Sequence, residues 1–230
     1  MNALIPTAVL ALMAAAAPAG AEGISAAADP APLRWSVALS AGAAYATDPS
    51  FDLVSGGDAM PAGEVRVGFS PGWLSGRLEL DAAYGYHGAA GTTFQRWQTS
   101  LAVQSFQLGA RYGLPVWRWL GVYGRAAALA DIDHLALSST DGAWRARQTT
   151  STFGVLGALG AEARVVRTER FALGLALEVG YAQRFGAAHF GALVSSAGGD
   201  GPAPVAFAPV DAGRVDLSGL QWRMGVIAHF

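Results

Sequence analysis

Cysteine is absent from the 230-residue chain, which excludes a disulfide scaffold, thiolate chemistry and any cysteine-ligated metal site. Lysine is absent as well, so all 15 basic residues are arginine. Charge of either sign is scarce, at 14% of residues, where a soluble domain carries about 25%. The formal net charge is −2 and no arginine-rich run collects phosphates, which argues against a nucleic-acid partner. Long apolar runs are missing after residue 21, so the sequence writes no helix of membrane-spanning length there. Mean hydropathy is nevertheless +0.31. The chain has too little charge to clothe a water-facing surface.

The one long apolar run, Ala3 to Ala21, is broken by Pro6 and ends in Ala19-Gly20-Ala21. A short apolar core followed by small residues is the pattern of a cleavable secretory signal, so residues 1–21 are expected to be removed on export. Met1-Asn2 adds no charged side chain at the amino end. Residues 22–33 read as a flexible N-terminal lead-in.

From Arg34 onward apolar side chains recur at every second position, the period of a strand with one apolar face. The last stretch shows it well, with Leu220, Trp222, Met224, Val226, Ala228 and Phe230 on one face. Gln221, Arg223, Gly225, Ile227 and His229 take the other. The same alternation starts at Trp35, Val37 and Leu39 and gives eight strands over 34–230, the clearest from Phe171 to Tyr181. Breakers and polar clusters place longer loops at 48–62, 87–98, 131–150 and 186–214. Tight turns fall at Pro71-Gly72, Gly113-Leu114-Pro115 and Arg167 to Arg170. Leu101 and Val103 are out of phase with Phe106, Leu108 and Tyr112, which predicts a bulge or a later start of the fourth strand. Even strand number with short and long connections alternating describes an all-β, antiparallel, up-and-down transmembrane barrel. Both termini then lie at its short-turn, periplasmic end.

Aromatic spacing fixes which face meets lipid. Trp35 and Tyr45 stand ten residues apart, as do Phe171 and Tyr181. That is about 23 Å along a strand tilted near 45°, close to the ~25 Å apolar band between aromatic girdles. Trp35, Phe69, Tyr112, Phe171 and Phe230 are expected in the periplasmic girdle, and Tyr45, Tyr84, Tyr86, Phe153, Tyr181 and Trp222 in the outer one. The opposite face is mostly glycine, alanine and serine with charges of both signs, which suits a narrow lumen filled by side chains. Arg66, Glu79, Asp81, Arg125, Glu178 and Arg223 are expected to form its charge network, all but Glu79 near mid-height. Buried charge persists only when paired, so Arg66 should meet Glu79 or Asp81, and Arg223 should meet Glu178.

The terminal strand resembles that of Gram-negative outer-membrane barrels, in which a final aromatic after alternating apolar residues is read by the insertion machinery. Trp222 and Phe230 would carry that signal here. Residues 34–230 as a whole resemble the small eight-stranded outer-membrane barrels of the outer membrane protein A and opacity type. The resemblance implies the outer membrane of a Gram-negative bacterium, contact with outer-membrane lipid and lipopolysaccharide, and insertion by the barrel assembly machinery. It rests on architecture and names no ligand for the loops.

Candidate chemistry is thin. His134 with Asp131, Asp133, Ser138 and Ser139 is the one local cluster holding the residue types of a hydrolytic site, and a hydrated loop explains it equally. Asp48, Asp52 and Asp58 lack the alternating acids and closing glutamate of an EF-hand loop. No catalytic, cofactor or metal site is assigned, and no cofactor is expected. The reading is a non-enzymatic structural barrel, or platform for surface loops, with a charge-plugged lumen. Its rivals are a narrow channel or lateral path for small hydrophobic molecules, and a lipid A-modifying enzyme.

Overall fold

A strand with one apolar and one polar face leaves its edges unpaired unless the sheet closes on itself. The computed structural model describes residues 35–71, 77–93, 97–140, 145–193 and 210–230. The first seven strands are β1 (Trp35–Ala46), β2 (Ala59–Phe69), β3 (Leu78–Thr93), β4 (Trp97–Pro115), β5 (Leu120–Ser139), β6 (Arg145–Arg167) and β7 (Ala172–Arg184). A separate two-stranded hairpin comes next, β8 (Ala188–Leu193) with β9 (Val210–Val215), before β10 (Gly219–His229). Strands β1 to β7 and β10 form one closed antiparallel barrel, in the order β1-β10-β7-β6-β5-β4-β3-β2. The seam runs from Ser36 opposite His229 to Ala46 opposite Gly219. This is the expected eight-stranded barrel. The expected signal peptide, the lead-in, Arg34 and Gly72 lie outside the described residues.

The apolar phase faces outward. Leu39, Leu108, Leu159, Leu175 and Met224 are each more than half exposed, while Glu64, Asp81, Arg125 and Glu178 are buried. Such an inside-out distribution is stable only with hydrocarbon as the surrounding solvent. Aromatic pairs mark both margins of the band. At the rim holding the termini, Trp35 packs on Phe69 (ring centroids 4.8 Å apart) and Phe171 on Phe230 (5.6 Å). At the far rim Tyr84 packs on Phe106 at 5.3 Å, and the Trp222 indole donates to the Tyr45 hydroxyl at 3.4 Å.

Several strands are longer than the sequence pattern indicated, and one physical cause accounts for most of the difference. β3 continues to Thr93, β5 to Ser139, and β6 begins at Arg145. The loops expected at 87–98 and 131–150 are therefore largely strand. Beyond the far aromatic row water lies outside and packed protein inside, so the apolar phase reverses. Leu101, Val103 and Leu135 point inward and are almost fully buried. β4 runs through Leu101 and Val103 in continuous register, with no bulge.

The register irregularity lies instead in β6, between Arg164 and Val166. β2 starts at Ala59 and includes Pro61, inside the expected first loop. β4 reaches Pro115, so its turn falls at 116–119 rather than at Gly113. Tyr112 is consequently succeeded by three more strand residues, and the stacked Trp117–Trp119 pair (5.8 Å) closes that hairpin. The far mouth is covered by an apolar cluster. Phe51, from a 3-10 turn over Pro49–Leu53, joins Met60, Leu101, Val103, Leu135, Phe190 and Leu217 there. The β8–β9 hairpin that brings Phe190 sits within the longest expected loop, 186–214. Val194, Val205 and Phe207, the apolar residues which that loop's sequence offers for contact with a partner, lie outside the described residues.

Candidate functional site: a charge-filled lumen

Inward positions on the barrel strands bring together charges distant in sequence, in layers along the axis. Nearest the termini, Arg111 of β4 donates to the Glu162 carboxylate of β6. Glu162 also meets the His229 ring at 2.9 Å and Arg164 at 3.6 Å. The Arg111 guanidinium lies 3.9 Å from the centroid of the Tyr123 ring, a cation–π contact. A Cβ on Gly160 would come within 2.3 Å of that ring, so glycine there makes room for tyrosine. Glu79 stands opposite Arg111 in the β3–β4 register, with its buried Oε1 lacking a hydrogen-bond partner.

The central layer holds three carboxylates and three guanidiniums. Arg66 bridges Glu64 at 2.8 Å and Glu178 at 3.1 Å. Arg223 donates to Glu64 and to the Gln221 side chain, and lies 3.6 Å from Glu178, its register partner. Arg125 has no exposed side-chain surface. It meets Asp81 through Nε, 3.1 Å from both carboxylate oxygens, donates to Gln107 Oε1 at 3.0 Å, and stands 3.9 Å from Glu178. Guanidinium suits the work because its planar fork spans two acceptors and keeps its proton.

A third layer lies beyond the far aromatic row. Arg184 of β7 donates to Asp131 at 2.8 Å, to the Leu217 carbonyl, and to the His87 ring at 3.4 Å. Asp133 accepts from Thr152 at 3.0 Å. One oxygen of each aspartate is buried without a hydrogen-bond partner. Asp133 stands outside the membrane-spanning band, and its carboxyl is pushed up to about 6, chiefly by burial and then by neighbouring Asp131.

Arg223 and Glu178 are the expected neighbours, although the direct hydrogen bond of Arg223 goes to Glu64. Arg66 stands opposite Ala83 in the β2–β3 register, and its ion pairs go to Glu64 and Glu178 rather than to Glu79 or Asp81. Asp81 belongs to Arg125 instead. Glu64, Arg111 and Glu162 complete the network, and their inward phase was the available signal for them. Asp131 and Asp133 lie inside the loop expected at 131–150, and Arg184 falls between Tyr181, where the expected strand pattern ends, and the loop expected from 186. His134 faces outward between Gln104 (3.4 Å) and Thr149 (2.9 Å), on the face opposite Asp131 and Asp133, so that group does not converge.

A cavity of about 20 Å³ lies against Arg66, Arg111, Tyr123, Glu178 and Arg223, room for roughly one water, which needs at least 10–15 Å³.

None of the curated proteins compared with the chain matches it. Among solved structures it is similar to the crystal structure of Neisserial surface protein A, at 12% identity and TM-score 0.47, covering 85% of this chain and 96% of that one. It is also similar to Ail, the attachment invasion locus protein of Yersinia pestis, at 8% identity and TM-score 0.43, covering 85% and 95%. The family model described as "Outer membrane protein beta-barrel domain" matches residues 7–197. With the inside-out closed barrel, that match establishes that the chain belongs to the outer-membrane β-barrel family.

Proposed function

We propose that this protein is a non-enzymatic outer-membrane barrel with a shut lumen, serving as a structural element and as a platform for its far-rim loops. The observation that carries this reading is the match of charge and volume inside the barrel. Three acids face three arginines in the central layer, and a cavity of about 20 Å³ lies against Arg66, Glu178 and Arg223. An apolar cap then covers the far mouth. A channel needs a continuous water path, whereas the cavity that the described residues leave beside Arg66, Glu178 and Arg223 has room for about one water. The hydrolytic reading loses support because His134 and the two aspartates face opposite ways.

Orientation is argued from the connections. The turn after β4 and the Thr168–Phe171 turn after β6 are tight, whereas the far end carries the strand extensions and the β8–β9 hairpin. Short turns belong to the periplasmic side in this class of barrel. That puts both termini in the periplasm and the cap at the cell surface. Trp222 and Phe230 serve as the insertion signal read by the assembly machinery, and lipopolysaccharide surrounds the outer rim.

The absence of cysteine makes sidedness testable, since any introduced thiol is unique. Gly57 is exposed, and a Cβ there meets nothing within 4 Å. Glu169 is exposed in the β6–β7 turn. A membrane-impermeant maleimide is expected to label G57C on intact cells, and E169C only after the outer membrane is permeabilised. The reverse pattern would overturn the orientation.

A further inference from the structure

Among the described residues, the layer beneath the apolar cap is short of a hydrogen-bond donor. Asp131 and Asp133 share the inward face of β5, about 7 Å apart along the strand, and are 2% and 0% exposed. Arg184 directs its Nε to one oxygen of Asp131 and its two Nη groups to the Leu217 carbonyl and the His87 ring. Thr152 donates to one oxygen of Asp133. The second oxygen of each aspartate is buried without a partner. An ionised carboxylate only accepts, so neither aspartate can serve the other while both are charged.

Charge in this layer is unbalanced in the same direction. The charged groups facing Asp133 are Asp131 on its own strand and Arg184 of β7. Its register partners, Val103 of β4 and Thr150 of β6, are uncharged. His87 of β3 meets a guanidinium, which can only donate, so its Nε2 carries no proton and the ring is neutral. Asp216, on the segment leading into β10, is engaged by the backbone N–H of Ser218 at 2.8 Å. Two buried aspartates therefore share one cation, and a surplus buried charge is costly.

The same residues hold the cap in place. Arg184 is tied to the Leu217 carbonyl through its side chain and to the Ser218 hydroxyl, at 2.9 Å, through its backbone N–H. Thr47 donates to the Ser218 carbonyl at 3.0 Å. Val215 and Leu217 of this segment pack into the apolar cluster over the far mouth.

We infer that Asp131 and Asp133 form a one-proton site that latches the cap. A proton from the medium, placed on the free oxygen of Asp133, turns it into the missing donor, and the free oxygen of Asp131 accepts. The surplus charge is removed, and Arg184 stays bound to Asp131 and Leu217. When the cap opens, water reaches both carboxylates and the proton returns to the medium. Asp133 holds its proton at about 6 in the closed cap, against an ordinary 3.8. The closed cap thus binds the proton more tightly than the open one, so closure weakens as pH rises from about 4 to about 6 and is steady above that. The latch goes beyond the shut-lumen reading, since it leaves the central ion pairs unchanged and does not depend on which end faces the periplasm.

The test uses the full chain refolded in detergent with Val215→Cys, a buried cap position, as its single thiol. Maleimide labelling is measured relative to the same chain in denaturant, which cancels the titration of the thiol itself. Relative labelling at about pH 7.5 is expected to be about tenfold faster than at about pH 5. Adding Asp133→Asn supplies the missing donor as a fixed amide, and labelling should then be slow and equal at both pH values. Ile227→Cys, buried in the lumen near the terminal rim, should label slowly at both, which separates cap opening from unfolding of the barrel. Labelling of Val215→Cys that ignores pH, a pH dependence that survives Asp133→Asn, or a parallel rise at Ile227→Cys would each overturn the latch. Calcium that slows labelling at about pH 7.5 to the acid rate would also overturn it, by making a metal ion the ligand. Conductance of the wild type bears on the central layer alone, so sustained openings would remove the shut lumen and leave the latch standing.

Discussion

Arg125→Leu is expected to lower the stability of the barrel by about 3–5 kcal/mol, the cost of removing one partner from a buried ion pair. Arg125 has no exposed side-chain surface and engages both oxygens of Asp81. Leucine would leave that carboxylate buried and charged in the lumen, with its guanidinium gone. Gln107 would lose its donor at 3.0 Å as well. Urea-induced unfolding in lipid vesicles reads the loss. Adding Asp81→Leu to Arg125→Leu removes the stranded charge, and apolar replacement of a whole buried pair is commonly neutral or stabilising. The double variant is therefore expected to regain most of the loss. A double variant as unstable as Arg125→Leu would mean that the pair does more than neutralise itself.

The second large effect lies on the opposite face. Leu175, midway between Phe171 and Tyr181 on β7, is 57% exposed. Leu175→Arg is expected to cost about 2–4 kcal/mol in a bilayer, the range for arginine on a lipid-facing strand near the midplane. Were the same surface in contact with water, an exposed substitution of this kind would stay within about 0.5 kcal/mol. Unfolding of wild type and variant in vesicles separates the two outcomes. A shift within the smaller range would contradict the assignment of this face to lipid.

Most of the barrel is legible in the sequence because period-two alternation needs only local information. β7 shows it: Leu173, Leu175, Leu177 and Val179 take one face, and Glu178 the other. The illegible parts depend on context that alternation does not carry. Leu101 and Val103 belong to a strand whose apolar phase reverses where the outer solvent changes from hydrocarbon to water. The reversal looks like an irregularity until the height of the aromatic row is known. The same reversal makes Asp131, Asp133 and Leu135 one inward face of β5, in a stretch that reads as a polar loop.

Pairing in the lumen was only partly legible, for a different reason. Phase decides which charges point inward, but register around a closed ring decides which of them meet. Arg66 and Glu178 are 112 residues apart in sequence, on strands that are not neighbours, and meet because the barrel is narrow. Arg66 does not pair across the β2–β3 turn: its guanidinium goes to Glu64 and Glu178, and Asp81 is held by Arg125. The β8–β9 hairpin escaped notice because its strands are short and flank a stretch rich in glycine, alanine and proline.

The central claim is that ion pairs and packed side chains close the lumen, and conductance of the wild-type protein in a planar bilayer tests it most directly. Folding of the reconstituted sample is verified first by its migration with and without boiling. No sustained single-channel openings are expected under applied voltage, since the cavity beside Arg66, Arg111 and Arg223 has room for about one water and the charges around it are paired. Sustained, reproducible openings by the folded wild type would contradict the closed lumen and make a channel the better account.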